Sequence, residues 1–403
     1  MRILGLRLPK PAADVKGFAR LAGMEAVIRG TTLSVFPLVM YRAWGSAAVV
    51  SQIYFVIGLL SLMTALTVPA LSRHVSRQRI FSIAILLYVV ACVFGMLGGK
   101  FNTVALLCAV MGAATSFVCF NAYVLDFIDK TEFSKLESLR LFYGAWGWVL
   151  GPVVGVWLLS VWHGAPFVLV AVAALVMLWM KTQMHLGNGK AIVTQQPRAA
   201  HPVANVRRFF SQPRLVTGWL IPLMRSCGWW FYFVYVGIFA VENGLGDKVG
   251  GYASSAANLG LLLAPLMLRW MRRHSVRRAV RMGCLLSGLS FVLATLVSPF
   301  PWATVVVLVA GTFSLVLLDV CAGLPFMMSV KPSERTEMSS VYSSFRDSSG
   351  ILSPALAWLV LQFFPVSAVF AAAGAGLLGA WSVAGRLHPQ LGVPGHKRVR
   401  LQR

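Results

Sequence analysis

The chain has 403 residues, of which 58% are hydrophobic and 12% charged, with a mean hydropathy of +0.75. That balance leaves too little polar surface to solvate a globule of this length and implies a polytopic membrane protein. A net charge of +24 would point to nucleic acid in a soluble chain, but here it is spread over separate short loops flanking apolar runs. The expected partner is therefore the lipid bilayer, and no nucleic acid is expected.

The first apolar run, 21–41, carries Glu25 and Arg29 and lacks a small-residue cleavage site, so it reads as a retained first span with no signal peptide. Glu25 and Arg29 are four residues apart on one helix face, acid first, the better order for a helical ion pair. Two readings follow: a pair that neutralises itself, or a carboxylate that exchanges a proton while the arginine holds a substrate. The second run, 47–71, ends in a cationic loop, Ser72-Arg73-His74-Val75-Ser76-Arg77-Gln78-Arg79. Runs 79–98 and 102–126 follow, the latter closing on Asp126.

Run 140–161 contains Gly147-Trp-Val-Leu-Gly151-Pro152-Val-Val-Gly155. Glycines four apart leave a smooth groove for a neighbouring helix, and the proline loosens the helical ladder, so this is a packing seam. Run 164–183 leads into the longest polar stretch, 184–214, read as a cytoplasmic linker.

Run 215–240 places Arg225 about eleven residues in, near mid-membrane. It is followed by the densest aromatic stretch of the chain, including Trp229, Trp230 and Tyr232. An arginine at that depth normally faces a cavity or a partner, and its planar fork suits a carboxylate or phosphate. Pairing with Asp319 is the alternative. Runs 250–269 and 280–298 are separated by a second cationic loop, Arg272-Arg273-His274-Ser275-Val276-Arg277-Arg278. Run 302–328 holds Asp319, a candidate proton carrier or a partner for Arg346, and Pro325, which interrupts the helix. Run 340–362 opens on five serines around Arg346-Asp347, read either as a capped helix end or inner gate, or as a substrate or coupling site. Run 365–385 is the last.

Twelve runs of about the length that crosses the hydrocarbon, with no open sheet permitted in lipid, predict an all-α membrane protein with twelve transmembrane helices. Of the 36 lysines and arginines, 30 lie in seven stretches that occupy every second gap and the two termini. Cationic loops resist translocation, so both termini are expected to be cytoplasmic. The six cysteines all fall within apolar runs with no CxxC pair, which supports neither disulfides nor a metal site, and no cofactor is expected. Scattered histidines without HExxH spacing, and the lack of a GxxxxGK[ST] sequence, argue against an enzyme or an ATP-driven pump.

The chain also resembles itself at an offset near 200: Pro69 to Arg73 matches Pro265 to Arg269, Arg29 matches Arg225, and Gly151-Pro152 meets Ser353-Pro354. This favours two pseudo-symmetric six-helix bundles, at 1–183 and 215–403, joined by 184–214. Twelve spans in two halves, the central loop and the basic loops after spans two and eight resemble the major facilitator superfamily. The span-five sequence is similar to the GxxxGPxxG signature of that family's proton-linked antiporters. The loop at Arg73 and Arg77 resembles a degraded form of the family's inner latch, without its aspartate and glycines; Asp126 or Asp129 would be its partner, and simple topogenic charge is the rival reading. Arginines at matching places in spans one and seven resemble the family's organophosphate and anion transporters.

The resemblance implies a secondary active transporter of the bacterial inner membrane, moving a small organic anion or zwitterion by alternating access with protons as coupling ion. Arg29 and Arg225 would contact the substrate, Trp229, Trp230 and Tyr232 would form the cavity wall, and Glu25 or Asp319 would carry the proton. Gating and packing would fall to Arg73, Arg77, Asp126, Arg346, Asp347 and the span-five residues. A multidrug or metabolite exporter by proton antiport is the alternative within the class, and a membrane scaffold or enzyme the alternative outside it.

Overall fold

The computed structural model describes residues 14–72, 74–128, 132–184, 186, 202–330 and 335–387, and these are helical without strands. The helices are α1 (Val15–Trp44), α2 (Ala47–Leu71), α3 (Arg77–Leu97), α4 (Phe101–Phe127), α5 (Phe133–Val161), α6 (Ala165–Gln183), α7 (Pro202–Phe210) and α8 (Pro213–Glu242). They continue as α9 (Lys248–Leu259), α10 (Ala264–Arg273), α11 (Val276–Leu296), α12 (Pro301–Cys321), α13 (Leu324–Ser329), α14 (Arg335–Ser343), α15 (Phe345–Leu361) and α16 (Ser367–Ala384).

Twelve transmembrane segments in two pseudo-symmetric sets of six account for all of these except α7. Three segments are broken. A 3-10 turn at Gly260–Leu263 links α9 to α10 just before Pro265. The tenth segment breaks at Ala322 and Gly323 before Pro325, where a ring and a missing N–H prevent continuation. The eleventh breaks at Ser344, whose hydroxyl donates to the Val341 carbonyl.

Among the described residues nine helical segments are long and apolar enough to cross a membrane. The three that fall short are α1, α8 and α15, which hold Glu25 and Arg29, Arg225, and Arg346 with Asp347. Of these, α15 falls short in length, at 17 residues, while ionisable groups within α1 and α8 are of the kind that normally face a cavity or a partner.

Helix ends follow local chemistry. Ser76 caps α3 by accepting from the Arg79 backbone N–H, and Ser275 caps α11 by accepting from that of Arg278. Both cationic loops therefore end in the same device. The α3–α4 turn needs Gly98, whose φ of 73° an L side chain rarely adopts.

The stretch expected as a plain linker contains helix α7. Phe209 at its end is fully buried against Leu215, Phe326, Val330, Met338 and Val341, and this apolar anchor is what orders the segment. The remainder of that stretch, apart from Met184, Leu186 and the residues leading into α8, lies outside the described residues.

Contacts divide the chain into two compact units, Met1–Ala43 with Leu59–Thr194, and Trp44–Gly58 with Gln195–Arg403. The first part of α2, assigned by sequence to the first half, thus groups with the second. Within that second unit the Ser51 and Tyr235 hydroxyls share a 2.6 Å hydrogen bond, Tyr54 stands edge-on to Trp230, and the Gly58 backbone approaches Gly350 too closely for a β-carbon at 58.

Candidate functional site

In the first unit, the site is set by how closely α1 and α5 approach. A β-carbon built on Gly147 would stand 2.5 Å from the Ala26 carbonyl carbon, one on Gly151 2.5 Å from that of Gly30, and one on Gly155 2.5 Å from the Thr31 oxygen. The buried Ser34 hydroxyl donates to the Pro152 carbonyl at 3.0 Å, fastening the two helices at the proline. With Gly30 against Gly147, their neighbours Arg29 and Trp148 meet, and the Arg29 guanidinium lies 5.4 Å from the Trp148 ring centroid.

Glu25 is buried, and its Oε1 has no hydrogen-bond partner. The helical ion pair with Arg29 does not form; the arginine is exposed and leans on tryptophan instead. The buried Tyr88 hydroxyl is likewise without a hydrogen-bond partner, and the Arg140 guanidinium lies 5.6 Å from the Phe120 ring centroid. Arg140, Trp148 and Tyr88 were not singled out from sequence. Arg140 stands at the first position of the fifth apolar run, Trp148 lies within the glycine motif, and Tyr88 is a single tyrosine in an aliphatic span, so none of the three carries a signal of its own.

At one end of the same unit Arg77 and Asp126 form an ion pair between the start of α3 and the end of α4. Arg77 is buried and also lies 5.4 Å over the Tyr123 ring. The fully buried Lys181 of α6 donates to the Gln78 carbonyl and the Ser82 hydroxyl, at 3.0 and 2.7 Å. Arg73 and Asp129 lie outside the described residues.

In the second unit, Arg225 of α8 donates through Nη1 to Asp319 Oδ1 of α12 at 2.6 Å and through Nη2 to the Ser226 hydroxyl at 2.9 Å, while its buried Nε has no partner. Asp319 therefore pairs with Arg225 and not with Arg346. Trp229, one turn after Arg225, donates Nε1 to both Asp319 oxygens, at 3.3 and 3.2 Å, and stacks on Phe233 with ring centroids 5.0 Å apart. The guanidiniums of Arg225 and Arg346 stand 5.7 and 5.9 Å from the ring of Phe345, an aromatic the sequence reading passed over.

Tyr232, expected on a cavity wall, is fully buried, and its hydroxyl donates to the Ala253 carbonyl at 2.7 Å, so it supports Trp229 from behind. Trp230 faces Tyr54 and Gly350. Asp347 occupies the first turn of α15, where a negative charge suits the helix dipole. All six cysteines are free, and no cluster with metal-ligating composition occurs among the described residues.

This helical architecture with charged groups inside its spans is matched over residues 21–354 by the family model described as Major Facilitator Superfamily. The chain belongs to the Major Facilitator Superfamily. It is thus a membrane transport protein and not an enzyme.

Solved structures of similar fold include a mutant of the nucleoside transporter NupG, at 13% identity and a TM-score of 0.72, covering 93% of this chain and all of that one. A POT family transporter in complex with 5-aminolevulinic acid matches at 13% identity and a TM-score of 0.71, covering 93% of this superfamily member and 96% of that chain. The peptide transporter POT in complex with sulfate matches at 17% identity and a TM-score of 0.71, covering 94% and 95%. A search of curated proteins gives no match.

Proposed function

We propose that this superfamily member moves a small organic anion or zwitterion by alternating access, coupled to protons, in a bacterial inner membrane with both termini cytoplasmic. The observation that carries the reading is the Arg225–Asp319 pair with its spare donor: Nη1 is held by Asp319 and Nε has no partner. A carboxylate or phosphate on a solute competes with Asp319 for the same fork. Protonation of Asp319 removes that competitor and frees the arginine. Loss of the proton restores the pair and ejects the solute. Trp229, already donating to Asp319, holds the protonated carboxyl in place while the arginine is engaged by the solute.

Arg29, exposed beside Trp148, is the corresponding anion contact in the first unit, and Glu25, buried with an unpartnered oxygen, is the second proton carrier. Trp230 and Tyr232 shape and support the aromatic wall. Arg77 with Asp126, Arg73 and the polar start of α15 at Arg346 and Asp347 serve the gate. The fold has been solved with 5-aminolevulinic acid, a zwitterion, and with sulfate, an anion, in other chains, which agrees with the solute class proposed.

The test is a thermal-shift screen of the detergent-solubilised protein against anionic, zwitterionic and cationic metabolites, repeated on Arg225→Ala. A ligand at a hundredfold excess over its Kd stabilises the folded state by about 2.7 kcal/mol. Stabilisation by an anion or zwitterion that the variant loses supports the reading. Stabilisation by lipophilic cations alone, unchanged in the variant, overturns it in favour of proton-antiport efflux. That second reading draws on the glycine–proline seam between α1 and α5, which resembles the antiporter signature.

A further inference from the structure

Away from these charges, a cavity of about 440 Å³ opens at the start of α11, lined by Ser275, Arg277, Arg278, Arg281, Met282, Leu285 and Trp381. Three arginines in five residues crowd one opening, and among the described residues none of them pairs with a carboxylate. Arg277 spends Nη2 on the Gly385 carbonyl at 2.7 Å, tying the start of α11 to the end of α16, and leaves a buried Nε without a partner. Arg281 lies 5.2 Å from the Trp381 ring, and its buried Nε is likewise unpartnered.

Leading away from the cavity along α11 is an apolar stripe of Met282, Leu286, Leu289 and Leu293, each more than a third exposed at helical spacing. Cationic head and greasy track are continuous on one helix. We propose that this cavity binds the phosphate of an anionic phospholipid, whose acyl chains lie along the α11 stripe.

The physical case rests on complementarity. Unneutralised arginines at a membrane helix end attract anionic headgroups, and a guanidinium fork grips phosphate oxygens with two parallel bonds. Trp381 orients Arg281 and presents an amphipathic ring at headgroup depth. The stripe supplies what a free phosphate cannot use, which is why a lipid fits better than inorganic phosphate.

The full chain, purified in neutral detergent, is measured by native mass spectrometry for retention of phosphatidylglycerol against phosphatidylcholine. The site variant is Arg278→Gln with Arg281→Gln, which spares the Arg277 tie to α16. Arg207→Gln with Arg208→Gln, exposed on α7, removes the same charge elsewhere. The wild type and the α7 variant are expected to retain phosphatidylglycerol preferentially, and the site variant to hold it about tenfold more weakly, as loss of charge-assisted bonds implies. Equal retention by the site variant, or equal loss in the α7 variant, overturns the proposal. So does protection from melting by inorganic phosphate alone to the same degree as by phosphatidylglycerol, which makes the ligand a free phosphate. If the double variant does not fold, Arg281→Lys decides: it keeps the charge and removes the fork, so undiminished retention overturns the site and a reduced one supports it.

Discussion

Gly30 lies so close to Gly147 that a β-carbon built on it would stand 2.0 Å from the Gly147 carbonyl oxygen. Everything in the first unit's candidate site depends on that approach, because it places Arg29 beside Trp148. Gly147→Ala must push the α1 backbone away and is expected to destabilise by about 1–3 kcal/mol, the range for overpacking. Gly144→Ala, whose nearest neighbour is the Ala26 β-carbon at 3.7 Å, is expected to be tolerated. Thermal melts of the two purified variants check the contrast, and equal melts would show that the seam yields.

The Arg77–Asp126 pair joins α3 to α4 with the arginine buried. Asp126→Asn leaves that guanidinium without its counter-charge and is expected to cost about 3–5 kcal/mol, as breaking a buried pair does. Arg77→Asp with Asp126→Arg is expected to recover part of the loss. Denaturation of the two variants side by side measures the recovery, and none at all would mean that the Tyr123 contact matters more than the pair.

Trp229 supplies one donor to Asp319 and a stacked face to Phe233. Trp229→Phe keeps an aromatic face and removes the N–H, so a stability loss of about 1.5–3 kcal/mol is expected, the range for a bond to a charged group. The same change is expected to alter ligand response more than Phe233→Leu does, as read by thermal shift with the first solute found.

Lys181 is buried, with the Gln78 carbonyl and the Ser82 hydroxyl as its partners and no carboxylate paired with it among the described residues. A cation held this way pays desolvation without an opposite charge in return, so Lys181→Met, of similar shape, is expected to leave the melting temperature unchanged or higher. A fall of several degrees would show that the ammonium's bonds to Gln78 and Ser82 outweigh that cost.

The candidate residues were legible in part because ionisable groups at bilayer depth are few and therefore conspicuous: Glu25, Arg29, Arg225 and Asp319 stand out in apolar runs. The Arg225–Asp319 pairing was one of two alternatives open from sequence, and the structure has it; the contact that Arg29 makes was not legible. The four-residue spacing of Glu25 and Arg29 suggested a helical pair, yet the arginine turned to Trp148 because the glycine seam brought that ring within reach. Phe209 shows the same limit in the fold: a polar stretch read as linker contains a helix, held by an apolar contact with the start of α8 and with α13 and α14, the last two remote in sequence.

By itself the sequence determined the membrane class, the twelve apolar spans and their six-and-six order, and the likeness to the superfamily. The class and the spans follow from hydrophobic length, which the bilayer reads locally; the order and the likeness follow from the internal repeat, the central polar stretch and the span-five motif. Only the tertiary structure decided that Arg225 holds Asp319 from α8 to α12, that Glu25 Oε1 stays unpartnered, that Tyr232 is turned to Ala253, and that three arginines frame an unneutralised cavity beside Trp381. Those choices depend on how each helix is rotated and shifted against its neighbours, and close packing of small residues sets that rotation, not the apolar character that carries the helices into lipid.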